Sequence, residues 1–235
     1  VRSGGVPVER FQAGRNDQIV LLRDRAAYPD FEIRNTAVNG EVWTGVGSVT
    51  RSRFPEGWQN LPAQDQPDEN QSSLGIRVGY GRVDFYTRGD IPGVPRPGAP
   101  GWHDIETPVA QAVGAVEVAT PNHHGNRDST NAAFVSALRP RLWILQVWSS
   151  DHPGHDVLDR MFSERLYPGP RDVLATAMSQ ANKDVIGPLL DRLASDSGHI
   201  VVRVEPGGEA YRAIVVEDGD ESMRVKKVLG PFRSR

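Results

Sequence analysis

The sequence predicts an α/β (α+β) fold with mixed sheets and flanking helices, and three observations carry that prediction. Two pairs of strand-like runs flank tight turns at Asn39-Gly40 and Gly81-Arg82, which is a hairpin signature. The run Leu142 to Trp148 is almost wholly apolar and reads as a strand buried on both faces. Apolar residues also recur at helical spacing, at Ala133, Phe134, Ala137 and Leu138 and again at Val185, Ile186, Leu189, Leu190 and Leu193.

Taken in order, residues 1–16 are turn-rich and 18–22 reads as a short buried strand. The first hairpin covers 31–34 and 41–44, and 50–71 is a polar, Pro-containing surface loop too short for a domain linker. The second hairpin, 73–80 with 83–87, runs straight into Arg88-Gly89-Asp90. A Pro/Gly loop at 92–101 precedes a weak helix at 104–114 and a strand at 116–120 that ends in Pro121-Asn122-His123-His124-Gly125. Ser129 is placed to cap a helix over 130–138, Pro140 stops it, and the strand 142–148 follows. Helices are expected at 154–164, 170–179 and 183–195, the last interrupted by Gly187-Pro188. Strands at 199–204, 210–217 and 222–228 close the chain, which reads as one domain over residues 1–235.

With 27 basic and 30 acidic residues the chain carries a formal charge of -3, which disfavours a general binder of nucleic-acid backbone. Cysteine is absent, which removes disulfides, iron–sulfur clusters and thiolate nucleophiles and leaves the compartment open between cytosol and exterior. Any metal must sit on His, Asp or Glu. No apolar run approaches the roughly 20 residues of a membrane-spanning helix.

Three places concentrate metal-capable side chains, each directly after a predicted strand: Asp90, the pair His123-His124, and Asp151-His152-Pro153-Gly154-His155. Separately they read as a turn aspartate, surface histidines and a polar helix start. If the three strands share a sheet, their ends meet at one edge and offer a carboxylate with imidazoles, a donor set suited to zinc or manganese. If the residues are incidental to an unrelated binding module, Asp90 and His123 lie far apart.

At this point the residues resemble a family. Ser73-Leu74-Gly75-Ile76, Tyr80-Gly81 and Asp84-Phe85-Tyr86-Thr87-Arg88-Gly89-Asp90 are similar to the "SLVL…YG…FLLTGD" segment of metallo-β-lactamase-fold hydrolases of the ComEC-like branch. Val118-Ala119-Thr120-Pro121-Asn122-His123-His124-Gly125, with Ser129, resembles that branch's "LKVPHHGS…S", with Asn126 in place of the serine after "HHG". The stretch 134–140 with the strand after it is similar to "FL…L.P..AIIS", and Asp151-His152-Pro153 to its "YGHP". The likeness covers about residues 70–165 in order and spacing.

The resemblance implies the C-terminal portion of an αββα sandwich and a two-metal zinc site, with manganese as the other candidate. It makes Asp90 the metal-bridging aspartate and one of His123 and His124 the late metal ligand, His123 being preferred as the first imidazole after the strand. His152 and His155 become the candidate catalytic groups on the substrate side. The implied reaction is attack of a metal-bound hydroxide on a phosphoester or related ester or amide. Phosphoester or other small-molecule substrates lead, and the charge does not favour nucleic acid. The family's leading His-x-His-x-Asp-His is absent from this sequence, whose six histidines are His103, His123, His124, His152, His155 and His199. The expectation is therefore that the first metal ligands come from a preceding segment or a complementary chain, the Val1-Arg2-Ser3 start being a cut edge. The alternative is a metallo-β-lactamase-like domain used for binding or assembly without catalysis.

Overall fold

A computed structural model describes residues 8–235, and the expectation about the start at Val1 lies outside them. Strand β1 (Phe31–Val38) turns into β2 (Glu41–Trp43) through Asn39 and Gly40, whose φ angles of 50° and 76° are the positive pair that a two-residue hairpin turn demands. Strand β3 (Thr50–Ser52) continues the antiparallel run, a short strand inside the stretch expected to be loop. Strands β4 (Gly75–Tyr80) and β5 (Val83–Arg88) form the second hairpin about Gly81-Arg82, with β4 also paired to β1.

From β5 onward the sheet is parallel, through β6 (Val118–Ala119), β7 (Leu142–Leu145) and β8 (Asp172–Ala175). The order across the eight strands is β3-β2-β1-β4-β5-β6-β7-β8. Strand β8 replaces the helix expected at 170–179. Val173, Leu174 and Ala175 are all buried, so pairing with β7 overrides the helix propensity of Leu174, Ala175, Ala177 and Met178. The strand expected at 18–22 is also absent: no pairing is made there, and Leu22 is almost fully exposed.

Side chains of the parallel strands alternate between two cores, as the pleat requires. Tyr86, Ala119, Trp143, Leu145, Val173 and Ala175 face a layer containing helices α1 (Glu106–Val113), α2 (Ala132–Leu138) and α3 (His155–Phe162). Val83, Val118, Leu142, Ile144 and Leu174 face a second, antiparallel sheet. That sheet consists of β9 (His199–Val204), β10 (Ala210–Val216) and β11 (Val225–Arg233), ordered β11-β10-β9, and presents Tyr211, Ala213 and Val215. At Gly230-Pro231 the edge strand β11 carries a bulge opposite Arg212. Helix α2 is capped by Asn131, whose side chain accepts from the Phe134 amide, and Ser129 serves elsewhere. Helix α4 (Gln180–Ile186), capped by Ser179, gives way at Gly187-Pro188 to a 3-10 turn through Arg192. Among the described residues no helix is long and apolar enough to cross a membrane.

The two sheets are pinned where their turns meet. A Cβ on Gly81 would collide with the Gly207 carbonyl, and one on Gly208 with the Tyr80 carbonyl. Gly81 also has a φ of 56°, so a side chain there meets both backbone strain and a blocked site. Gly81→Ala is expected to lower the unfolding free energy by about 1–3 kcal/mol. Gly101→Ala, which meets open space, should change it by less than about 0.5 kcal/mol. Urea titrations of the two variants check this.

Candidate functional site

Strands β5, β6 and β7 are parallel neighbours, so their C-terminal ends lie along one sheet edge. Asp90 stands two residues beyond β5, its amide donating to Ser73 Oγ at 3.0 Å. Beyond β6 the chain makes an unusual turn: His123, His124 and Gly125 have φ angles of 43°, 55° and 79°. Two successive left-handed residues with full side chains are costly and persist only where the surroundings hold them.

The holding group is Glu106, in the first turn of α1 and wholly buried. Its carboxylate accepts from the Asn122 side-chain amide and from the Thr130 and Asn131 backbone amides, at 2.6 and 2.7 Å for the last two. It thereby grips both ends of the loop that contains the histidines. Ser129 Oγ spans the interior of that loop, donating towards the Asn122 carbonyl at 2.5 Å and lying 2.9 Å from that of Asn126. Arg160 of α3 donates to the Thr130 carbonyl at 2.8 Å. Asn126 uses its side-chain oxygen locally to accept the Arg127 amide at 2.7 Å.

The turn points both imidazoles at Asp90. His124 Nδ1 lies 2.9 Å from the Gln146 carbonyl, which can only accept, so Nδ1 carries the proton. Its Nε2 then sits 3.3 Å from Asp90 Oδ1. His123 Nδ1 meets both oxygens of Asp128 at 2.8 and 2.9 Å, and its Nε2 lies 3.9 Å from Asp90 Oδ2. The bond to Asp128 raises the His123 pKa against the opposing effect of burial, with Asp90 adding to the rise and Arg88 opposing it. Two Nε2 atoms facing two carboxylate oxygens repel unless a cation lies between them, either a proton or a metal.

Asp90 and His123 are therefore together, as the strand-end reading expects. Two donors on a tetrahedral zinc ion, with bonds of about 2.0–2.1 Å, are about 3.3 Å apart, which is the His124–Asp90 separation. The His123–Asp90 pair is wider. Among the described residues, no group of three or more His, Asp or Glu side chains is placed to hold a metal ion. The His124–Asp90 pair alone has the spacing of two ligands on one ion.

His152 lies under this group, its ring 5.1 Å from that of His124. It is buried, its Nδ1 has no partner, and burial lowers its pKa. His155 is placed elsewhere. It opens α3 with its side chain more than half exposed and bonds Asp159 one turn on at 3.1 Å, a helix-surface pair. Sequence reasoning missed Glu106, Asp128 and Arg88. Arg88 is buried with Nε and Nη2 unpartnered, and desolvation lowers its pKa to about 10. Only the Asp128 spacing, five residues after His123 in the same loop, offered a signal. No family model matches the chain, and no characterised protein matches it in a search of curated sequences.

Burial pushes the Glu106 carboxyl from its usual 4.5 up to about 7, against the lowering by Asn131, Asn122 and Thr130. Between those values the folded chain holds a proton that the unfolded chain has lost. Stability from this group is full below pH 4.5, falls as pH rises, and levels off above about 7. Urea midpoints at pH 5 and 7.5 should show wild type losing about 2–3 kcal/mol more across the interval than Glu106→Gln. Glu106→Ala should cost about 2–4 kcal/mol at either pH, because it strands buried donors.

Proposed function

We propose that this chain is the C-terminal part of a metallo-β-lactamase-like αββα domain and contributes half of a metal-dependent hydrolase site. The carrying observation is that both imidazoles tie down Nδ1, on Asp128 and on the Gln146 carbonyl, and turn Nε2 towards Asp90. Outer partners of this kind fix the tautomer and orientation of ligand histidines. The ordered resemblance over residues 70–165 and the stacking of a helix-bearing sheet on a second sheet support the same reading.

In this reading Asp90, His124 and His123 would hold the metal. Zinc, or manganese in its place, when bound supplies water activation and neutralises charge building on the ester. Asp128 and the Gln146 carbonyl hold the imidazoles in register. His152, whose pKa burial lowers, packs its ring behind that of His124. A phosphoester is the leading substrate, followed by other esters and amides. The remaining ligands come from a preceding segment or a complementary chain.

The incomplete donor group favours a second reading, a domain of the same fold used for binding or assembly without catalysis. Zinc stoichiometry and zinc-dependent hydrolysis of bis-p-nitrophenyl phosphate by the full-length protein separate the two. The hydrolase reading expects chelator-sensitive turnover, at least about 100-fold loss of kcat/KM in Asp90→Ala, and metal affinity weakened about 10–100-fold in Asp128→Ala. Turnover that is indifferent to chelator or to Asp90→Ala leaves the binding reading in place.

A further inference from the structure

The small sheet stops short of covering the large one. Its strand β9 is an edge, paired only with β10, and beyond it the large sheet continues through β5, β4 and β1. The gap is an open cleft of about 440 Å³. Phe31, Val78, Val83 and Phe85 of the large sheet line it together with Val202 and Val204 of β9. Leu21 and Tyr28, from the segment before β1, complete the lining. Of these only Val83 is fully buried, so the cleft leaves apolar surface in contact with water.

The backbone of β9 specifies what fits there. Just past the Val204–Tyr211 pair, the Glu205 amide donates to the Ala210 carbonyl opposite it at 2.8 Å. Hydrogen-bonded residues alternate along an antiparallel strand, so Arg203 and Val201 also bond β10. The N–H and C=O groups of Ile200, Val202 and Val204 therefore point away from β10, and among the described residues nothing bonds them. The strand holds neither proline nor lysine, and its register with β10 is unbroken. A hydrocarbon ligand covers the apolar floor and leaves these groups unanswered, whereas a peptide strand satisfies both. The space admits a lone strand. A second copy joining its own β9 here would drive its large sheet into the layer that β4 and β1 already occupy. Arg203 adds a charge preference. It is exposed, lies across from Arg212, and makes no ion pair among the described residues, whereas Arg212 is held by Glu205 at 2.7 Å. Like charges directly opposite repel, so a carboxylate on the free side of Arg203 is favoured.

We propose that β9 takes an extended strand of a partner protein as its next neighbour. Alternate apolar residues of that strand lie on the cleft floor, and an acidic residue on its outer face stands beside Arg203. The proposal does not rest on the metal reading above.

Synthetic peptides added to the full chain test it, read by 15N–1H correlation spectra and amide hydrogen exchange. The probe is a capped peptide of alternating valine and threonine with a central glutamate. It is compared with a version carrying lysine for the glutamate, and with one methylated on the backbone nitrogens that would face β9. The expected result is that the glutamate peptide shifts the Ile200, Val202 and Val204 amides and slows their exchange. It should bind about 2–5-fold tighter than the lysine peptide, a preference that Arg203→Glu reverses. The methylated peptide should not bind. Val202→Pro, which removes an outward N–H and spares the pairing with β10, should weaken binding about 3–10-fold. No binding by any peptide, a methylated peptide that binds as well as its parent, or a charge preference unchanged in Arg203→Glu overturns the proposal. Slow exchange of the three amides before any peptide is added also overturns it, because the edge is then already paired. Dependence on protein concentration assigns that pairing to a second copy, and its absence assigns it to the chain's own segment. None of these readouts needs metal or turnover, so a chain that hydrolyses nothing yet binds the peptide keeps the strand site and loses the hydrolase reading.

Discussion

The buried carboxylate of Glu106 is the constraint on which the candidate site depends. Left-handed backbone at His123 and His124 is intrinsically unfavourable, and the segment takes that form because one donor on each of Asn122, Thr130 and Asn131 is answered by one side chain. Room for that carboxylate exists because residue 93 is glycine, where any Cβ would collide with it. Desolvation opposes the ionised form and the donated hydrogen bonds favour it, so Glu106 is held near balance rather than locked in one state.

The sheet explains why the other half of the site is where it is. Parallel strands deliver successive loops to a single edge, and ligand sites of open α/β sheets lie beyond such strand ends. Here β6 has only two residues, so its ladder contributes little to fixing the histidine turn. The Glu106 clamp from the helix layer and the Gln146 carbonyl just past β7 do most of that work. The result is a pair of imidazoles whose Nε2 atoms face one carboxylate at 3.3 and 3.9 Å, with no group of three placed to hold a metal among the described residues.

Much of this was legible in the sequence. Asn39-Gly40 and Gly81-Arg82 announced their hairpins because positive φ, here at Asn39, Gly40 and Gly81, selects Asn and Gly, and the apolar run at 142–148 read as a strand buried on both sides, which the structure keeps over Leu142–Leu145. The meeting of Asp90 with the paired histidines was readable because each lies shortly past a strand of one sheet. The segment 170–179 was misread because Ala and Leu favour helices locally, and only the neighbouring β7 makes it a strand. Glu106 was invisible for a different reason. A glutamate in a helix's first turn is ordinary, and nothing local reveals that the chain folds back to bury it. Ser129 looked like the helix cap because serine is a favoured capping residue, but Asn131, two residues on, takes that place and the serine is spent inside the loop.

The bulge at Gly230-Pro231 has a meaning for behaviour at high concentration. A sheet's outer strand is a template on which another chain can add itself, and proline offers no N–H to such a newcomer, while a bulge bends the rail it would follow. Lys226 and Lys227, earlier on the same strand, add charge that a flat, dry stack of strands would have to bury. The long outer strand of the small sheet thus guards its own margin against adventitious self-association, where a plain run of valines would have invited it.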